Sequence, residues 1–151
     1  GNQNAFTYKE IFKLIKENKI WTGYSMVKKF YQPDGSIKEF GNVCWFTNLP
    51  TAKRVEELIL TKSYLSNDYP TYDNYPAINV DRVVDIPKDY DGIMGVPITF
   101  IDKYNPNQFE IIDINPHFFT IVEHGLPKPD QLHLAKVGRK DPYARVLIKR
   151  K

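Results

Sequence analysis

Proline and aromatic residues are interleaved along this chain, and the combination leaves little room for long helices. The 151 residues include 11 prolines, 10 tyrosines and 9 phenylalanines. Proline stops helices, while aromatic side chains fit a pleated, half-buried surface. Strands and structured loops are therefore expected in place of a helical bundle. A chain of this length forms one domain, or one domain with a substantial appendage, and can bury a real core. The expected class is α/β or α+β, with a mixed, largely antiparallel sheet and few helices.

One helix is nonetheless marked, over residues 8–18. Thr7-Tyr8-Lys9-Glu10 has the form of a capping box, in which the threonine hydroxyl and the glutamate carboxylate satisfy each other's backbone N–H groups. Tyr8, Ile11, Phe12 and Ile15 follow at helical spacing on one face, and Asn18 marks the stop. Strands are expected at residues 20–24 and 43–49, around a turn at Pro33-Asp34-Gly35-Ser36. Further strands are expected at Glu57–Thr61, at Ala77–Val80, at Phe109–Ile112 and at Tyr143–Lys149. Gly92–Phe100, with two glycines and Pro97, reads as a bent or edge strand. His117–Gln131 reads as loop.

Charge is unevenly spread. Residues 1–50 hold 7 Lys+Arg against 4 Asp+Glu, residues 51–110 hold 6 against 10, and residues 111–151 hold 8 against 4. Basic ends can meet phosphate, although solvated surface lysines explain them equally well. The single cysteine, Cys44, excludes an internal disulfide and fits a reducing, cytoplasmic setting. No run approaches the roughly 20 apolar residues that span a bilayer. The opening Gly1-Asn2-Gln3-Asn4-Ala5 reads as a continuation from upstream structure or as the scar of a tag. His117, His124 and His133, with Glu123 and Asp113, match no familiar zinc spacing.

Three stretches resemble the EcoRI-type adenine-specific DNA methyltransferase family. The first is Gly1–Ala5 leading into Tyr8-Lys9-Glu10-Ile11-Phe12 and Ile20-Trp21-Thr22-Gly23-Tyr24. The second is Val43-Cys44-Trp45-Phe46-Thr47-Asn48-Leu49. The third and most specific runs from Tyr72-Asp73-Asn74-Tyr75-Pro76-Ala77-Ile78 through Asp89-Tyr90-Asp91-Gly92-Ile93-Met94-Gly95-Val96-Pro97-Ile98-Thr99-Phe100 to Gln108-Phe109-Glu110-Ile111. The closing Arg145–Lys151 is similar too, and the likeness thins between Asp113 and Asp141.

The resemblance implies the carboxy-terminal part of a methyltransferase fold plus a recognition region. Residues 1–49 would end the methyltransferase sheet, and residues 50–151 would form the DNA target-recognition region. The parent would use S-adenosylmethionine to methylate adenine N6 in a restriction-modification type system. The fragment itself would bind no cofactor, because the family's cofactor and Asn-Pro-Pro-Phe motifs lie upstream. Asn115-Pro116-His117-Phe118 departs from that motif at its third position and follows no glycine-rich loop, so no catalytic residue is assigned.

Within this frame Trp45 and Phe46 point to opposite sides of a strand, and one of them is a candidate to stack on a flipped base. Packing beside Cys44 is the alternative for both. Candidate DNA contacts are Asn48, Tyr72, Tyr75, Arg139, Lys140, Arg145, Lys149 and Arg150, with double-stranded DNA and the missing amino-terminal catalytic half as expected partners. The tyrosine loop equally fits self-packing, and the basic end a solvated tail. Two rival readings are a stand-alone, non-enzymatic DNA-binding subunit and a degenerate methylase remnant. Cut from its central sheet, the strand at 43–49 or its neighbour should expose an edge, favouring self-association or a rearranged opening helix.

Overall fold

A computed structural model of the chain describes residues 3–23, 28–40, 43–115, 117, 132–134 and 144–151. The chain divides into two compact units, residues 1–54 and 55–151.

In the first unit a 3-10 helix, Gln3–Thr7, runs directly into α1, Lys9–Lys16. The expected capping box does not form. Because a helical turn already precedes it, Thr7 turns its hydroxyl back to Asn4 O at 2.8 Å, and Tyr8 becomes an N-cap without a side-chain bond. Tyr8 is 63% exposed and so leaves the apolar face, which is carried by Phe12, Ile15 and, from the preceding turn, Phe6. The stop is as expected. Asn18 adopts φ 63°, and Lys19 N donates to Leu14 O at 2.8 Å, the 6→1 bond of a Schellman end.

β1, Trp21–Thr22, pairs antiparallel with β4, Phe46–Thr47. Both strands are shorter than residues 20–24 and 43–49 would give. The Thr47 hydroxyl accepts from Leu49 N at 3.1 Å and turns the chain away, while Trp21 Nε1 donates to Leu49 O at 3.1 Å. Between them lies a hairpin that the sequence reading missed: β2, Lys29–Tyr31, and β3, Ile37–Glu39, joined across the predicted turn.

The second unit is built on a four-stranded sheet of β5, Ala77–Asn79, β6, Ile93–Pro97, β7, Phe109–Asn115, and β8, Arg145–Arg150, in the order β5-β6-β8-β7. Only β5 and β6 run parallel. The fold is thus mixed α/β, with few helices and largely antiparallel pairing. β6 is an interior strand, not an edge. Pro97 is tolerated because it is the strand's last residue, where the chain enters the 3-10 helix Ile98–Lys103. Glu57–Thr61 forms no ladder. Instead the Gln108 side chain takes a strand's place, accepting from Leu58 N at 2.9 Å and donating to Leu58 O at 2.7 Å.

Register sorts the sheet into two unlike faces. Ile78, Met94, Ile148 and Ile111 stand side by side across all four strands, followed by Val96, Val146 and Ile114. All seven are at most 2% exposed, and each contributes about 1.5–3 kcal/mol by leaving water. Phe100 and Phe109 meet edge-on on this side, with centroids 5.2 Å apart. The opposite face carries Asn79, Gly95, Leu147 and Asp113 in one row and Pro97, Arg145 and Asn115 in the next. A bulge between Ile111 and Asp113 lets Ile112 join that second face. No helix among the described residues is long and apolar enough to cross a membrane.

Candidate functional site

In the first unit, Trp45 lies just before β4 and Phe46 is its first residue. Phe46 is half-buried and meets the fully buried Phe6 edge-on, with centroids 5.5 Å apart. Trp45 is 53% exposed. Its backbone is fixed, since its carbonyl accepts from Gly23 N at 2.9 Å. Of the two aromatics, Trp45 is the more exposed and Phe46 packs on Phe6. Asn48 is also exposed, just beyond the strand end. Close by in this unit, Arg54 lies over the Trp21 ring at 4.8 Å, and Lys53 Nζ donates to Gly23 O at 2.9 Å.

In the second unit, Tyr72 and Tyr75 do not stand on a free loop. They fold over the polar face of the sheet and are 4% and 3% exposed. Backbone bonds hold the cover down: Tyr72 N donates to Ala77 O at 3.0 Å and Asp73 N to His133 O at 2.9 Å. Beneath it lies a connected polar network. Tyr72 OH donates to Asn79 Oδ1 at 2.7 Å, Arg145 Nε donates to the same oxygen at 3.1 Å, and Asn79 Nδ2 donates to Asp81 Oδ1 at 2.7 Å. Burial raises the Tyr72 phenol far above its ordinary range, against the opposing pull of Arg145. Tyr75 is pushed up to about 12 by burial, helped by the charge of Asp113. The Tyr75 hydroxyl has no hydrogen-bond partner among the described residues.

The structure therefore brings Tyr72 and Arg145 together through Asn79, a residue the sequence reading passed over. A polar side chain inside the apolar run Ala77–Val80 was the available signal. Gly95 was the other signal, because a Cβ built on it would lie 2.2 Å from the Tyr72 hydroxyl. Only glycine leaves that space. Arg145 stays half-exposed with one edge of its guanidinium held, Lys149 is exposed opposite Glu110, and Arg150 falls on the other face. Arg139 and Lys140 lie outside the described residues.

Two clefts on this unit are lined by described residues. One, of about 230 Å³, is lined by Asp68, Asp81 and Asp85 together with Lys62 and Arg82. Its carboxylates make it a poor seat for phosphate. The other, of about 430 Å³, is lined by Asn105, Asn107, Gln108, Arg150 and Lys151, with Glu57 at one side. Gln108 and Asn105 are committed to the backbone of Leu58 and Glu56, and Lys151 Nζ donates to Pro106 O, so Arg150, Asn107 and Glu57 are the polar groups that remain. Among the described residues no group of three or more His, Cys, Asp or Glu is arranged to hold a metal. Asn115 is buried, and its Oδ1 accepts from Leu132 N at 3.2 Å.

The chain is 41% identical to the type II methyltransferase M.EcoRI of Escherichia coli, over 100% of this chain and 49% of that protein. It is 34% identical to M.MgeORF184P of Mycoplasma genitalium, over 99% of this chain, and 34% identical to M.MpnI of Mycoplasma pneumoniae, over 100% of it. Each of those two mycoplasma proteins is covered to 55% of its length, so the chain spans about half the length of the curated relatives it matches. No solved structure matches. The family described as "Adenine-specific methyltransferase EcoRI" matches residues 1–151, and the chain belongs to that family.

Proposed function

We propose that this chain is the DNA-facing part of an S-adenosylmethionine-dependent DNA adenine-N6 methyltransferase of a restriction-modification type system. The observation that carries the reading is the match to an adenine-specific methyltransferase family from the first residue to the last, over about half of each relative. In this reading residues 1–49 complete the sheet of the catalytic half, and residues 50–151 supply target recognition. Trp45 forms part of the wall against which a flipped adenine stacks. Arg145, Lys149 and Arg150 are phosphate or base contacts, with Arg145 pre-oriented by Asn79.

The described residues do not fit S-adenosylmethionine. Among the described residues the parallel strand pair, β5–β6, is connected through the 3-10 helix Val83–Asp85 and not through a glycine-rich loop opening a helix. In this reading the methyl donor is held by the rest of the parent protein, and this chain contributes DNA contacts and the Trp45 wall.

The test is duplex DNA binding by the 151-residue chain across a range of salt concentrations. Binding that weakens steeply with salt is expected, with a slope that counts the phosphates neutralised. A second arm mixes the chain with the upstream half of the same protein and measures methyl transfer to adenine. Transfer that needs both pieces supports the reading. A chain that binds no duplex at low salt and adds nothing to the upstream half overturns it.

A further inference from the structure

Arg145 lies across the polar face of the four-stranded sheet. Between its own strand, β8, and β5 runs β6, whose residues on this face are Gly95 and Pro97. Neither raises a long side chain, so the guanidinium passes over β6 and Nε donates to Asn79 Oδ1 at 3.1 Å. Nη1 donates to the carbonyl of Ala144 at 3.4 Å. Asn79 is 2% exposed and is held from two further sides. The Tyr72 hydroxyl donates to its oxygen at 2.7 Å, and its Nδ2 donates to the Asp81 carboxylate at 2.7 Å. One buried amide thus carries a guanidinium at its oxygen and a carboxylate at its nitrogen. Arg145 is half-exposed, Asp81 is exposed, and Arg145 makes no ion pair among the described residues. A satisfied buried network rigidifies what it holds. Here it fixes the direction of an arginine whose charge stays within reach of solvent.

We propose that Arg145 reads the edge of a guanine in duplex DNA, and that Asn79 is the positioning residue that aims it. Phosphate is the poorer match. The Asp81 carboxylate sits on the same amide and repels a phosphate oxygen, whereas a base edge carries no net charge. In the major groove guanine presents the acceptors O6 and N7, to which arginine donates as a fork. Its cytosine partner presents an amino donor, which suits a carboxylate. A guanidinium and a carboxylate tied side by side therefore fit a G·C pair better than they fit the backbone. The rigid seat agrees. A phosphate contact needs only positive charge within reach, which lysine also supplies, while a forked base contact needs the guanidinium plane held in place. The proposal rests on the DNA-facing reading above and narrows Arg145 to one kind of contact.

The 151-residue chain is mixed with a duplex pool whose centre is randomised, and the bound duplexes are sequenced. The unaltered chain is expected to enrich guanine at one position. Arg145→Lys keeps the charge, so it is expected to lose that enrichment and to bind the selected duplex about tenfold or more weakly, with the salt slope unchanged. Asn79→Ala is expected to flatten the same position and no other. A merely structural loss would lower binding to every sequence alike. Thermal melting identifies a variant that fails to fold, and the half-exposed Arg145 then decides alone. If Arg145→Lys keeps the unaltered preference, or if Arg145→Gln lowers the salt slope by about one with the preference intact, Arg145 is a phosphate contact. The proposal then falls and the DNA-facing reading stands. Duplex binding without any base preference, or a folded Asn79→Ala that keeps the preference, overturns it in the same way. If the unaltered chain binds no duplex, both fall.

Discussion

Tyr72 and Tyr75 are near neighbours in sequence and equally buried, yet their hydroxyls meet opposite fates. The Tyr72 hydroxyl is used by Asn79, whereas that of Tyr75 is buried without a partner among the described residues. An unmade buried bond costs about 1–3 kcal/mol. Tyr75→Phe should therefore leave stability unchanged or raise it by about 1 kcal/mol in urea titration. The same burial sets a pH limit. An unfolded tyrosine ionises near 10, while Tyr75 in the fold holds its proton to about 12 and Tyr72 holds its own beyond that. The folded state thus keeps protons that the unfolded chain has released, so stability is complete below pH 10 and falls as pH rises toward 12. Phenolate absorbance followed together with circular dichroism should show these two groups ionising only as the chain unfolds, and Tyr75→Phe should shift that loss to higher pH. Gly95→Ala should cost about 1–3 kcal/mol through overpacking against Tyr72. Adding Tyr72→Phe removes the closest atom, at 2.2 Å, but leaves ring carbons at 2.9 Å. The double variant should recover part of that loss, and strict additivity in the cycle would contradict the contact.

Elements were legible where burial imposes a pattern. Residues 77–79, 109–115 and 145–150 carry Ile or Val at positions that face a core, Ile78, Ile111, Ile114, Val146 and Ile148 among them. The hairpin at residues 29–39 escaped because neither of its faces is buried, so no alternation is written into it. Glu57–Thr61 misled for the converse reason. Its apolar residues promised a ladder, whereas its partner is one glutamine side chain from a distant segment. The candidate site was less legible than the fold. Whether a tyrosine points inward depends on a glycine in another strand, and no local pattern records that. At the helix start, the capping signature was present but a preceding 3-10 turn displaced it. The N-cap position is thus held by Tyr8, which caps nothing. Tyr8→Asp should raise stability by about 1 kcal/mol, by bonding a free backbone N–H and facing the positive end of the helix. Chemical denaturation would show it, and a loss of stability would mean that the Tyr8 ring contributes more than its 63% exposure implies.

Across the whole molecule the two units are unequally built. The second rests on four strands with a fully buried apolar side, and the first on one short helix and a pair of two-residue strands. Opening energies should follow that difference. In hydrogen exchange the amides of β6 and β8 should be the last to exchange, and those of β1, β4 and the hairpin among the first. Equal protection in both units would contradict this. If the first unit is the end of a larger sheet, adding the upstream half should slow exchange at Trp21 and Phe46 and leave β8 unchanged.

The strand order β5-β6-β8-β7 also has a consequence in time. β8 lies between β6 and β7 but is made after both. On the ribosome those two strands have no neighbour on their facing edges until residues 145–150 emerge from the exit tunnel. Until then their apolar sides are open to solvent and to other nascent chains. Pairings between residues so far apart in sequence form slowly. Translation speed and chaperone supply, more than intrinsic stability, should then govern how much soluble protein a cell recovers.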